Sequence, residues 1–280
     1  MWGVSYWVFP VISALCWIGM LMGMLIHWCV DGKPHYSSME PTQNIAYISD
    51  VGAGSLKPLF ITGSCVTTVF LDLSFISERW LRHNGRLVAN TSVFQKVLSL
   101  VSLFFAGVGT VGLICLSIFD TLRYPTLHDL FLLLFIVGYV ISAVFLCWEY
   151  QRLGIHFRQH AVLRNSFWIK LAFIFIELAL AIAFAVCNFK YNYNAAAVLE
   201  WAVSFVFTFY VLSFVYDLIP AVKTKGAPFN RSTEMEQEAN DPEARAHDRE
   251  GRFTADSERT LAANDIRTTS GTKAPVGRNF

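Results

Sequence analysis

Six stretches of the chain, at about 6–29, 58–78, 97–119, 127–149, 167–187 and 197–219, are long and nearly free of charge. Each reaches the roughly 20 apolar residues that cross a bilayer as a helix. Only helices or closed barrels satisfy the backbone in lipid, and these runs are too long and too continuously apolar for barrel strands. The sequence therefore predicts an all-α, polytopic membrane protein: a six-helix bundle over residues 1–222. Pro58 and Pro125 open the second and fourth spans, and Pro220 stops the sixth, because proline cannot continue a helix. The first run lacks a basic n-region and exceeds a 7–15-residue signal core, so it reads as a retained span. Charged residues make up 15 % of the chain, against about 25 % in an ordinary soluble domain. That excludes a cytosolic enzyme, and a net charge of +1 implies no nucleic-acid partner. Almost half of the charged residues lie in 223–280, a polar, mixed-charge segment expected to be disordered.

Lys and Arg in the short loops set the orientation. Arg79, Arg82, Arg86 and Lys96, then Arg152, Arg158, Arg164 and Lys170, then Lys223, Lys225 and Arg231 share one side. Lys33, Lys57, Arg123 and Lys190 share the other. The richer side is read as cytosolic, with both termini inside. Its basic residues, Arg79, Arg82, Arg86, Arg152, Arg158 and Arg164 foremost, form a candidate face for anionic lipids.

Several motifs reduce to packing. Gly107-Val-Gly109-Thr-Val-Gly112 spells a dinucleotide fingerprint, but it sits inside a span with no preceding strand. Small residues there suit close helix contact. Gly19-Met-Leu-Met-Gly23 is read as packing within the bundle. His156 and His160 have metal spacing without the central Glu of a zinc protease, and His27, His35 and His128 fall on the opposite side. No metal, cofactor or catalytic constellation is expected. The six cysteines read as buried small hydrophobes; an outer-side disulfide would pair Cys29 with Cys187.

Ionisable residues at membrane depth are functional candidates. Glu177, ten residues from either end of the fifth span, belongs near the midplane and facing the bundle. Asp72, Glu149 and Asp217 lie in the inner part, where Arg79 and Arg152 are expected partners. On the outer side, Asp50, Asp120, Arg123, His128, Asp129, Glu200 and His27 crowd one membrane face, a place to hold a headgroup. Thr126 and Asp129 also suit a cap for the fourth helix.

Residues 46–63 read AYISDVGAGSLKPLFITG. An I-S-D-x-G segment just before the second span resembles the Frag/DRAM/Sfk family, which is similar to the N-terminal half of Cwh-type proteins. GLICLSIFDT (112–121), His128-Asp129, CWEYQRLG (147–154), SFWIKLAFIFIELALAIAF (166–184) and NAAAVLEW (194–201) are similar to its fungal Sfk-like branch. Many members carry Pro-Glu after I-S-D-x-G; Lys57-Pro58 here fits the Sfk-like branch. The resemblance covers about 1–222 and maps the family pattern onto Ser49, Asp50, Gly52, Asp120, His128, Asp129, Glu149, Glu177 and Glu200. It implies a non-enzymatic plasma-membrane protein tied to a phosphatidylinositol 4-kinase complex and to phospholipid asymmetry. Its other branches imply GPI-anchor lipid remodelling in the secretory pathway, or autophagy modulation at the lysosome or vacuole. The partners expected are membrane lipids: anionic phospholipids, phosphoinositides or GPI lipids. Ser49, Asp50, Asp120, His128, Asp129, Glu177 and Glu200 are the candidate lipid contacts. In the enzymatic alternative, His128 or Asp129 acts as general base with Asp50, Asp120 or Glu200 orienting it.

Overall fold

The computed structural model describes residues 5–87, 93–156, 161–219 and 221. The segment read as a disordered tail lies outside these residues, as do Arg158, His160 and Pro220. Seven helices follow in order: α1 (Val8–Val30), α2 (Ile48–Ala53), α3 (Lys57–His83), α4 (Val93–Ile118), α5 (Pro125–His156), α6 (Ala161–Phe189) and α7 (Tyr193–Leu218). All but α2 are long and apolar enough to cross a membrane. The described residues contain no strand.

Helix boundaries follow local chemistry. Pro58 sits in the first turn of α3 and Pro125 opens α5, where a missing N–H costs nothing. Beyond α3, Gly85 takes a positive φ of 68°. The Arg86 N–H then bonds back to the Leu81 carbonyl at 2.9 Å, a left-handed stop that satisfies a terminal carbonyl. At the end with the basic loops, α3, α5 and α6 all outrun their apolar stretches. The reason lies in side-chain pairing described below.

The six long helices close into a ring. Each of α3 to α7 packs on its sequence neighbours, and α1 packs on both α3 and α7. The Ser13 hydroxyl donates to the Thr67 carbonyl at 2.8 Å, joining α1 to α3. Trp17 Nε1 donates to the Ser204 carbonyl at 2.9 Å, joining α1 to α7. An aromatic column runs along α7: Phe207 meets Trp17, Phe135 and Tyr139, and Phe214 meets Phe75 and Tyr210. Such edge-on pairs add to simple burial.

The tightest seam is α4 on α5. A Cβ on Gly138 would stand 2.6 Å from the Gly109 nitrogen, and one on Gly112 would stand 2.5 Å from the Phe135 nitrogen. The backbones touch, as small residues permit in lipid, so the apparent dinucleotide fingerprint is helix packing. Beside the seam, the Ser102 hydroxyl donates to the Ser142 carbonyl at 3.0 Å. The α1 pair behaves differently from expectation. Gly19 meets nothing within 4 Å and Gly23 meets only Leu59 at 3.5 Å. The buried residues Trp17, Met20, Leu21 and Met24 define the inward face of α1, which turns Gly19 outward. The close approach to α3 is made instead at Gly63, where a Cβ would lie 2.5 Å from the Met20 sulfur.

Gly138→Ala is expected to force α4 and α5 apart at a cost of about 1–3 kcal/mol. Gly107→Ala, which meets nothing within 4 Å, should leave stability unchanged or slightly higher. Thermal unfolding of the two variants in detergent checks the contrast.

Candidate functional site

The I-S-D-x-G segment forms α2, a helix that periodicity did not reveal. Asp50 occupies its third position, and its carboxylate accepts the Tyr47 N–H at 2.9 Å, the Ser38 hydroxyl at 2.6 Å and Gln43 Nε2 at 3.1 Å. Glu200 reaches across from α7, and its Oε2 accepts the Ile48 N–H at 2.7 Å. The Ser49 N–H bonds to the same carboxylate. Two acidic groups thus satisfy the orphan N–H groups at the start of α2 and sit at the positive end of its dipole. Asn194 Oδ1 accepts the Asn44 and Ile45 N–H groups, and Trp201 Nε1 donates to the Ala46 carbonyl. The loop is therefore fastened to the first turns of α7. Gly52 explains its own identity: a Cβ there would lie 2.6 Å from the Phe60 ring.

The second part of the expected headgroup cluster is held by other elements. Asp120 is buried between α4 and α5, where its Oδ2 accepts Lys57 Nζ at 2.5 Å and its Oδ1 accepts the Arg123 N–H at 2.7 Å. Burial works against ionisation, but the Lys57 and Arg123 bonds outweigh it and hold the Asp120 carboxyl below the usual range. His128 is buried, and its Nδ1 lies 3.0 Å from both the Leu116 and the Phe119 carbonyls; it therefore carries the proton there and staples the end of α4 to α5. Asp129 is exposed. Asp120, rather than Thr126 or Asp129, organises the turn into α5. The outer residues form separate fastenings rather than one converging cluster: Asp50 and Glu200 on α2, Lys57 with Asp120, His128 on the end of α4, and His27 beside Asp31 at the end of α1. Cys29 and Cys187 are both free. Among the described residues, no group of three His, Cys, Asp or Glu is placed to hold a metal.

A denser array fills the opposite end. Arg79 Nη1 reaches both oxygens of Glu149 at 2.6 Å. Arg82 donates to Glu78 Oε1 at 2.8 Å, and the Tyr150 hydroxyl donates to the same oxygen at 2.6 Å. Lys170 and Ser166 both bond Asp217. Arg82 and Lys170 also stand over the Tyr150 ring at 5.1 and 5.0 Å. Three cations and three carboxylates from α3, α5, α6 and α7 thus cancel one another in the interior. This corrects two expected pairings. Asp217 takes Lys170 rather than an arginine, and Asp72 takes the Thr110 hydroxyl at 2.9 Å, because Asp72 faces α4. It also places the basic residues unequally. Arg79 and Arg82 are engaged in the core, and Arg86 donates to the Ala221 carbonyl at 2.6 Å. Arg152 and Arg164 are exposed, with Arg152 over the Phe94 ring at 5.7 Å.

Between these ends, a groove of about 120 Å³ is lined mainly by α5, α6 and α7, with Trp17 of α1, Ile48 of α2, Phe60 of α3 and Leu113 and Leu116 of α4 completing its walls. Phe135, Tyr139, Ala181, Phe184 and Phe207 give it apolar walls. Glu177 and Glu200 are its acidic members. The sequence placed Glu177 near the midplane facing the bundle, and it does line this interior groove.

The fold and the groove define a six-span membrane bundle whose polar residues mostly fasten helices to one another. The chain belongs to the family described as Frag1/DRAM/Sfk1/Cwh43P N-terminal domain, whose model matches residues 5–221. It is similar to Protein sfk1 of Schizosaccharomyces pombe, at 31 % identity over 79 % of this chain and 66 % of the relative. It is also similar to Protein SFK1 of Saccharomyces cerevisiae, at 30 % identity over 54 % of this chain and 51 % of the relative. The chain thus spans less than two thirds of the length of either relative. No solved structure matches.

Two outcomes test these assignments. Lys170→Met strands Asp217 in the interior and is expected to cost about 3–5 kcal/mol, most of it recovered in Lys170→Met with Asp217→Leu; denaturation in detergent measures both. For Asp120, the folded carboxyl is the stronger acid, so its stabilisation is complete above the unfolded value of about 4 and is lost as pH falls through the folded value. The stability advantage over Asp120→Asn should be full at neutral pH and fade below about pH 4, as melting temperatures across pH will show.

Proposed function

We propose that the protein is a non-catalytic organiser of membrane lipids at the plasma membrane that supports phosphatidylinositol 4-kinase signalling and phospholipid asymmetry. The observation that carries this reading is the division of the arginines at the basic end. Arg79 and Arg82 build a rigid, charge-neutral helix junction, while Arg152 and Arg164 project from its surface. The excess of Lys and Arg in the loops at that end supports a cytosolic location for it, with both termini inside. There each exposed basic residue near an anionic leaflet contributes about 1 kcal/mol of attraction. The junction sets where those charges stand. The engagement of Asp50, Asp120, His128 and Glu200 in local fastening supports a scaffold in preference to a lipid-remodelling enzyme. The link to a lipid kinase is taken from the family resemblance.

Replacing Arg152, Arg158 and Arg164 together by Gln is expected to lower plasma-membrane phosphatidylinositol 4-phosphate while leaving the protein folded and in place. A fluorescent phosphatidylinositol 4-phosphate reporter, read beside the tagged variant, measures this. An unchanged signal with correct placement defeats the proposal.

A further inference from the structure

Among the described residues, several buried side-chain atoms lack a hydrogen-bond partner, Ser64 Oγ, Asp72 Oδ1 and Thr208 Oγ1 among them, and one such atom belongs to the lining of the interior groove. Oε1 of Glu177 is buried and has no hydrogen-bond partner. A buried acceptor in that condition carries a desolvation cost that nothing within the chain returns. Glu177 stands twelve residues before the end of α6 at Phe189, or about 18 Å along the helix axis at 1.5 Å per residue. That is close to the centre of a hydrocarbon core about 30 Å thick. The groove walls on α7 run from Glu200 to Tyr210, about 15 Å of helix, so the groove is long and narrow. Its shape suits one flexible hydrocarbon chain better than a rigid fused-ring body.

Depth and charge select the chemistry further. A charged headgroup brought to this level loses its hydration in hydrocarbon, a cost of several kcal/mol or more. An uncharged hydroxyl loses far less and recovers most of it by donating one hydrogen bond. A fatty acid would set a second carboxyl against Glu177. We infer that the groove among α5, α6 and α7 binds a flexible-chain lipid of the diacylglycerol type, whose free hydroxyl donates to Glu177. The hydroxyl supplies the donor that Glu177 lacks, and one acyl chain lies along Phe135, Tyr139 and Phe207. This site rests on the lipid-organising reading and names the lipid class. Direct labelling reports the site, whereas phosphatidylinositol 4-phosphate reports the cellular role, so each fails on its own readout.

The test uses the full chain in lipid nanodiscs with photoactivatable diacylglycerol, phosphatidylcholine and sterol probes, and peptide mass spectrometry to map attachment. Diacylglycerol should label α5, α6 and α7 in preference to the other two. Glu177→Leu should cut that labelling about tenfold, the loss expected from one buried hydrogen bond to an acidic group, and should melt no lower than the parent. Glu177→Gln, which keeps an acceptor, should retain most of it. Ala181→Phe leaves Glu177 in place but fills the groove, and should also abolish labelling. The inference is overturned if diacylglycerol fails to label these helices. It is equally overturned if phosphatidylcholine or sterol labels them as well as diacylglycerol does, or if either Glu177→Leu or Ala181→Phe leaves labelling intact.

Discussion

Charge neutrality inside the basic end of the bundle is the constraint on which the rest of this structure depends. Glu78, Arg79, Arg82, Glu149, Lys170 and Asp217 are all largely withdrawn from water. An isolated ion in that position is prohibitively costly, and a pair is tolerable only with good geometry and additional hydrogen bonds. Tyr150 and Ser166 supply those bonds. The geometry holds for one axial placement of α3, α5, α6 and α7 relative to each other, because a slide of one turn would separate Arg79 from Glu149, Tyr150 from Glu78 and Lys170 from Asp217, although Arg82–Glu78 lies within α3. Apolar contacts among the same helices would tolerate such a slide. Hydrophobicity makes the bundle; the six charges choose its register. They also explain why the helices continue past their apolar runs, since the charged turns have partners and do not need water.

Backbone proximity performs the same service between α4 and α5. Gly109, Gly112 and Gly138 bring the chains so close that a single methyl would collide with main-chain atoms. That seam is rigid by shape and the basic end is rigid by charge. The groove is lined mainly by α5, α6 and α7, and aromatic side chains make up much of its wall. A region intended to admit a flexible hydrocarbon needs such an arrangement: fixed borders and an adaptable interior.

The six spans were legible because lipid leaves so few alternatives: a run of about 20 apolar residues has one answer. That Glu177 faces the bundle was legible too, because a charge within a span is costly against lipid, and it lines the interior groove. Partners were not. Asp72 lies close along the chain to Arg79 and Asp217 far from either expected arginine, yet helix rotation turns Asp72 toward Thr110, and Lys170 of α6 meets Asp217. Rotation about a helix axis is set by packing, which hydropathy does not encode. The short helix α2 was hidden because six residues show no useful periodicity, and its cap residue, Tyr47, is not a usual one. Asp50 three residues on, with Glu200 arriving from far along the chain, supplied what the local sequence withheld. The glycines of the α4 seam could be recognised as packing residues, but those of α1 could not be separated from them by spacing alone. The difference rests on which face carries Trp17, Met20 and Met24.

Helix α7 has a property that follows from where its acids stand. Glu200 holds the N–H groups of α2 at one end, and Asp217 holds Lys170 at the other. They are 17 residues apart on one continuous helix, about 26 Å. A helix resists compression, so an axial displacement large enough to release one acid displaces the other by the same distance. The two faces of the membrane are thus clamped by a single rod, and neither clamp opens alone through a shift of α7.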